Sequence, residues 1–161
     1  MAIQLIIPNP TIPCTPGMCL VYVQDAFSIA PKYPTALASW EASAYRHMDS
    51  DFPQDAWVPL WFSVRDNAGG HVVIRQPDGS VWSASDPDAT VPVHHASLRE
   101  LVDYYSGRLT YLGWTEDVED TLVLESATRQ GVTSVSASSN DGQASAPLDP
   151  SKVSSLLIAE A

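Results

Sequence analysis

Gly69-Gly70-His71-Val72-Val73-Ile74-Arg75-Gln76-Pro77-Asp78-Gly79-Ser80-Val81-Trp82-Ser83-Ala84-Ser85-Asp86 is the stretch on which a reading of this 161-residue chain turns. Two runs rich in β-branched and aromatic residues flank Asp78-Gly79, a strong short-range hairpin signal. With Asp78 and Gly79 as the two central turn residues, cross-strand partners have numbers that sum to 157. His71 then faces Asp86, and directly opposed Cβ atoms lie about 4.5–5.5 Å apart, close enough for a carboxylate to hold one imidazole nitrogen. Trp82 shares that face at the other end of the strand. One bulge moves the partner of His71 to Ser85 or Pro87.

Outward from the hairpin, residues 56–64 read as a strand, and residues 109–114 and 121–124 as strands that close the sheet. Residues 97–105 read as a helix, because Ser97 followed by Glu100 forms a capping box. Towards the N-terminus, apolar residues recur at helical spacing over 18–27 (Cys19, Val23, Ala26, Phe27) and over 35–47 (Leu37, Trp40, Ala44, Tyr45), the latter capped by Thr35. A short strand at 3–7 and a proline-punctuated loop precede them. Helices first and antiparallel strands afterwards predict an α+β fold. From Ser126 the composition turns to Ser, Ala, Asn, Asp, Gly and Gln, which divides the chain into a domain over 1–125 and a tail or linker over 126–161.

Composition narrows the function. The net charge is −11 and the eight basic residues are scattered, which argues against nucleic acid, because a phosphate backbone selects clustered Lys and Arg. The acidic cluster Glu116, Asp117, Glu119 and Asp120 reads as solubilising charge. No apolar run approaches the roughly 20 residues of a membrane span, and the N-terminus is a poor signal peptide. Two cysteines, Cys14 and Cys19, make neither a disulfide framework nor a zinc site.

Cys19 carries the chemistry. It follows Thr15-Pro16-Gly17-Met18 at the first turn of a predicted helix, where unpaired N–H groups and the helix dipole stabilise a thiolate, lower its pKa and hold an oxyanion. Cys14, inside the proline-rich loop, has no such support and reads as structural. Among His47, His71, His94 and His95, the base is His71, which begins a strand after Gly69-Gly70, where missing side chains leave room for a substrate. His47 reads as the end of a helix, and His94 and His95 as a loop. A carboxylate on one nitrogen of His71 leaves the other to take the thiol proton, the Cys-His-Asp logic of nucleophilic catalysis. Trp40 and Trp57 read as core. Trp82 and Trp114 suit a groove wall for sugar or peptide faces, or simply pack.

The segments Gly17-Met18-Cys19-Leu20-Val21-Tyr22-Val23-Gln24-Asp25-Ala26-Phe27, Gly70-His71-Val72-Val73, Val81-Trp82-Ser83-Ala84-Ser85-Asp86 and Tyr111-Leu112-Gly113-Trp114-Thr115-Glu116-Asp117, in this order, resemble the CHAP-like cysteine peptidase/amidase domains of bacteriophage lysins over roughly residues 14–125. The resemblance implies a papain-like α+β fold with N-terminal helices packed on a central antiparallel β-sheet. It implies hydrolysis of an amide bond in peptidoglycan, as a cysteine endopeptidase or an N-acetylmuramoyl-L-alanine amidase. It makes Cys19 the nucleophile, His71 the base and Asp86 the orienting residue. Many relatives have a compact Ser-Thr-Asp before the acid; the longer run Ser83-Ala84-Ser85-Asp86 makes Ser85 a near rival. The calcium-loop pattern of some relatives is not visible, so no metal and no cofactor are expected.

Such an enzyme is made in the host cytoplasm and reaches the cell wall, or travels with the virion. Its expected partners are peptidoglycan and, through residues 126–161, a virion or wall-targeting protein, with neither nucleic acid nor membrane. The alternative is a structural virion or tail-associated protein that keeps the fold and is tethered by that segment.

Overall fold

The central hairpin closes with three residues rather than two. Gly79 N–H donates to Gln76 O at 2.9 Å and Gln76 N–H to Ser80 O at 2.8 Å. Pro77 and Asp78 thus occupy the middle of a type I turn, and Gly79, at φ +94°, supplies the left-handed residue that follows it. Asp78 Oδ1 secures the loop by accepting from Ser80 N–H and Ser80 Oγ. Cross-strand partners are therefore Ile74 with Trp82 and Arg75 with Val81, whose numbers sum to 156 and not the expected 157. A slip of one residue exchanges the faces of a strand. Ser83 and Ser85 take the His71 face, and Trp82 moves to the other side.

A computed structural model describes residues 1–127. The elements in chain order are β1 (Ile3–Gln4), α1 (Cys19–Phe27), α2 (Ala36–Ala42), β2 (Arg46–His47), β3 (Val58–Val64), β4 (Asn67–Arg75), β5 (Val81–Ser83), β6 (Val93–His95), α3 (Leu98–Tyr104), β7 (Leu109–Thr115), β8 (Asp117–Val118), β9 (Thr121–Leu122) and β10 (Leu124–Glu125). Six strands form an antiparallel sheet in the order β2-β7-β3-β4-β5-β6, and α1 and α2 pack against β4. The fold is α+β, with helices against a mostly antiparallel sheet. Val58, Leu60, Val72, Val73, Ile74, Val81 and Leu101 are wholly buried, and consecutive Val72, Val73 and Ile74 show that β4 is covered on both faces. The Ser- and Ala-rich segment at 126–161 lies, from residue 128 on, outside the described residues.

Local signals place two helices as expected. Thr35 Oγ1 accepts from Ala38 N–H at the start of α2, and Ser97 Oγ from Glu100 N–H at the start of α3. The second helix stops at Ala42 and not His47, because tertiary pairing overrides its apolar stripe. Ser43 Oγ donates to buried Asp117, and Arg46 and His47 pair with Thr115 and Trp114 of β7. β7 itself does not close the sheet but runs inside it, between β2 and β3, while β9 pairs with β8 in a separate ribbon.

The acidic cluster is also largely internal: Glu116, Asp117 and Glu119 are 1%, 2% and 4% exposed. Glu119 accepts from Gln24 Nε2 of α1 and from Tyr33 N–H, so these carboxylates hold the helices to the sheet rather than solubilise the surface.

β7 carries a bulge. Trp61 pairs with Gly113 and Phe62 with Tyr111, leaving Leu112 as the extra residue. Gly113 takes φ +150°, and a Cβ there would lie 2.2 Å from His47 O and 2.7 Å from the Trp40 ring. The neighbouring strand passes where a side chain would be. We expect Gly113→Ala to lose roughly 3 kcal/mol or more of stability in urea unfolding. An unchanged midpoint would show that β2 and β7 do not approach this closely.

Candidate active site

Gly17, at φ +76°, turns the chain out of the proline-rich loop, and Met18 N–H closes the turn on Thr15 O at 3.0 Å. Cys19 is thereby delivered as the first residue of α1, partly exposed, with its thiol 4.0 Å from Gly70 O on β4. The N–H groups of Val72, Leu20 and Cys19 itself are directed at the sulfur and favour the thiolate. Burial is the larger effect, and the net pKa is raised, against the expectation of a lowered one. Gly70, at φ +72°, does not leave room for substrate in the expected way: a Cβ there would meet Phe62 O at 3.1 Å and the Leu37 backbone at 3.2 Å. The glycine lets α2 approach β4.

His71 is 5% exposed. Its Nε2 lies 2.7 Å from Ser83 Oγ and 3.2 Å from the Tyr105 hydroxyl, while its Nδ1 makes no hydrogen bond to any described residue. Burial, with a smaller contribution from His95, pulls its pKa down to about 3. Ser83 Oγ is in turn 2.6 Å from Ser85 Oγ, which is 3.0 Å from His95 Nε2. No hydrogen bond joins Cys19 to His71, and burial disfavours the charged form of both the thiol and the imidazole.

Asp86 is not the partner of His71. It is half-buried in the loop after β5, where Oδ1 accepts from Asp88 N–H at 2.9 Å. The cause is the three-residue hairpin loop, which carries Asp86 off the His71 face and brings serines there. Trp82 leaves the face for the same reason and stacks on His94, 4.0 Å between ring centroids. Trp114 is no groove wall: it is 3% exposed, stacked on His47 at 3.9 Å, and donates from Nε1 to Asp49. His47, on a strand and not a helix end, bonds the buried Glu116 at 2.7 Å. Cys14 is buried with its thiol 4.0 Å from Ala89 O.

Two pockets meet at Cys19. One, of about 190 Å³, is lined by His71, Ser85, Tyr105 and Arg108; the other, of about 280 Å³, by Met18, Gln24, Tyr33 and Thr35. Both include Gly17, Cys19, Asn67 and Gly70. Sequence reasoning missed Ser83, Tyr105, His95 and Arg108. Ser83 and Ser85 were legible as alternate residues of the strand opposite His71; Tyr105 and Arg108 arrive from the end of α3 and the loop after it, with no sequence signal that they turn inward. Among the described residues no three His, Cys, Asp or Glu side chains gather as a metal site, and no helix is long and apolar enough to cross a membrane.

No family model, no curated protein and no solved structure matches this chain. The geometry alone brings together in one pocket a cysteine at a helix N-terminus and a buried imidazole whose Nδ1 bonds no described residue. These are residue types that nucleophilic acyl chemistry can use.

The imidazole also has a consequence for stability. His71 titrates near 3 in the folded protein against an ordinary value of 6.5, so the unfolded chain binds the proton first. The contribution of the buried neutral ring is complete above pH 6.5 and is lost as pH falls towards 3. His95, also lowered by burial, acts in the same sense. Between pH 6.5 and 4 the wild type should lose stability more steeply than His71→Asn, by up to about 1.4 kcal/mol per pH unit. Parallel curves from urea unfolding would show that His71 is not buried as the neutral ring.

Proposed function

We propose that this chain is a cysteine hydrolase of papain-like, CHAP-type fold that cleaves an amide bond in the peptide part of bacterial cell wall. The observation that carries it is the shared pocket of Cys19 and His71, with the sulfur at the start of α1 and the imidazole on β4. The thiol proton passes to His71 Nδ1 and the sulfur attacks the scissile carbonyl. The N–H groups of Cys19 and Leu20, which favour the thiolate at rest, turn to the oxyanion as the sulfur's charge passes to it. The amine leaves with the proton from His71, and water then hydrolyses the thioester. The two pockets that share Cys19 suit a substrate that extends beyond the scissile bond.

The choice of substrate rests on the resemblance of the Cys19, His71, Trp82 and Trp114 segments to phage lysin domains. On that reading the protein is an endolysin or a virion-associated lysin, and residues 126–161 reach a virion or wall-targeting partner. A second reading, a structural virion protein that retains the fold, draws support from the missing Cys19–His71 hydrogen bond and the raised thiol pKa.

Purified Gram-positive walls separate the two. Wild type and Cys14→Ala should clear the suspension and release amino groups. Cys19→Ala and His71→Ala should each lose at least about 100-fold in rate. Clearing that survives Cys19→Ala would overturn the nucleophile, and a wild type inert on walls from several hosts would favour the structural protein.

A further inference from the structure

Behind His71 a file of buried polar side chains leads away from the pocket. Its members are His71, Ser83, Ser85 and His95, which are 5%, 0%, 7% and 1% exposed. The steps from Nε2 to Oγ, Oγ to Oγ, and Oγ to Nε2 measure 2.7, 2.6 and 3.0 Å. The Tyr105 hydroxyl, 3.2 Å from His71 Nε2, closes the side of the file. No carboxylate is hydrogen-bonded to any of the four. A Cys–His pair needs something to hold the far nitrogen of the base in its protonated form. Here only hydroxyls and a second imidazole are within reach.

Each serine in the file has one proton to donate and lone pairs to accept with, so the file is ordered in one of two senses. In one, His71 Nε2–H donates to Ser83, Ser83 to Ser85, and Ser85 to the lone pair of His95 Nε2. This sense leaves His71 Nδ1 as the basic nitrogen. In the other, His95 donates and His71 accepts, and Nδ1 carries the proton and cannot act as a base.

We propose that Ser83, Ser85 and His95 form a proton relay that does the work of the missing acidic residue, a role that rests on the Cys19–His71 hydrolase reading. As the Cys19 thiol proton arrives at His71 Nδ1, the Nε2 proton passes to Ser83 Oγ, the Ser83 hydroxyl proton to Ser85 Oγ, and the Ser85 hydroxyl proton to His95 Nε2. One proton leaves sulfur and one reaches His95. The charges left are a thiolate at Cys19 and an imidazolium at His95, and the reverse shift returns the proton for the leaving amine.

His95 is the better place for that charge. His71 faces Cys19, Tyr105 and His95 and is hydrogen-bonded to no carboxylate; its negative neighbour is the Cys19 thiolate, and that charge is gone once the sulfur has attacked the carbonyl. Around His95 stand His94, Tyr104 and Glu100; burial and, less, His94 disfavour the protonated ring there too, but the Glu100 charge opposes them, and His71 has no such carboxylate. Tyr104, edge-on to His95 with centroids 5.1 Å apart, is 44% exposed, so this end of the file lies close to solvent.

The test is the pH profile of Cys19 alkylation by iodoacetamide, measured in Cys14→Ala protein so that one thiol reports. The parent should show an inflection below the ordinary histidine value of 6.5, where the lowered imidazoles titrate. Ser85→Ala and His95→Ala should lose it and react at pH 7 about tenfold more slowly or worse. His95→Gln, which still accepts from Ser85 but holds no second proton, should lose it too. Unchanged rate and profile in Ser85→Ala and His95→Gln would overturn the relay. Should these variants fail to fold, the histidine tautomers of the wild type, read from long-range proton–nitrogen NMR spectra, decide: a proton on His71 Nε2 with His95 Nε2 bare supports the relay, and a proton on His71 Nδ1 overturns it. Wall clearing beside flat alkylation profiles would sink the relay alone. Relay behaviour without wall clearing would sink the substrate and keep the relay.

Discussion

The hydrogen bond between His71 Nε2 and Ser83 Oγ exists because Pro77, Asp78 and Gly79 close the hairpin with three residues. A two-residue turn would set Ala84 and Asp86 on the His71 face and turn both serines away from it. The loop length therefore decides whether the buried imidazole meets an anion or a hydroxyl. It also explains why the ring is neutral. Burial disfavours the imidazolium, and no partner in the file offsets the cost. The same register sends Trp82 to the opposite face, where it stacks on His94 and lines neither pocket beside Cys19.

The helix that carries Cys19 is held in place by charge inside the protein. Gln24, 2% exposed on α1, donates to Glu119, which also takes Tyr33 N–H from the segment leading into α2. Two residues earlier Asp117 accepts from Ser43 at the end of α2, and Glu116 binds His47 of β2 and Ser126. A carboxylate taken out of water and left unpaired costs several kcal/mol, so each of these groups is tolerable only while its partners stay in place. The acidic loop thus fixes where α1 and α2 sit on β4, and with them the sulfur relative to the imidazole. Its residues look like surface charge in the sequence and act as internal fasteners in the fold.

Much of the framework was legible. The caps Thr35 and Ser97, the strands around Asp78-Gly79 and the position of Cys19 at a helix start all follow from local rules, and local rules decide them. The register was legible too, had Pro77 been given its weight. Proline suits the first central position of a type I turn and glycine the left-handed residue after it, which together specify three residues. What was not legible depends on contacts distant in sequence. Nothing near residue 43 announces that Asp117 will end the helix there, and nothing in α3 announces that Tyr105 will reach His71. The thiol pKa failed as a forecast for a related reason. The N-terminal N–H groups were placed rightly, but burial against β4 outweighs them, and burial is a property of the assembled layers.

A pair whose charged forms burial disfavours changes what the surroundings must do. A carboxylate beside a histidine typically raises its basicity by about 1–3 pKa units, or ~1.4–4 kcal/mol in favour of the ion pair. His71 lacks that help, and its enclosure works against it. Two arrangements meet the need. Substrate binding can close the pocket and supply the geometry in which sulfur and Nδ1 meet, since no hydrogen bond joins them at rest. The second is to keep the charge from settling on His71 at all. A file of hydroxyls transmits a proton without holding one, because neither serine is basic enough to keep it. In the proposed relay the positive charge rests on His95, where burial still opposes it but the Glu100 charge draws it. On this view the hydroxyls between the two imidazoles are not a weak substitute for an acid. They separate the place where the proton is taken from the place where its charge is borne, and the deep burial of His71 is tolerable because the charge does not stay there.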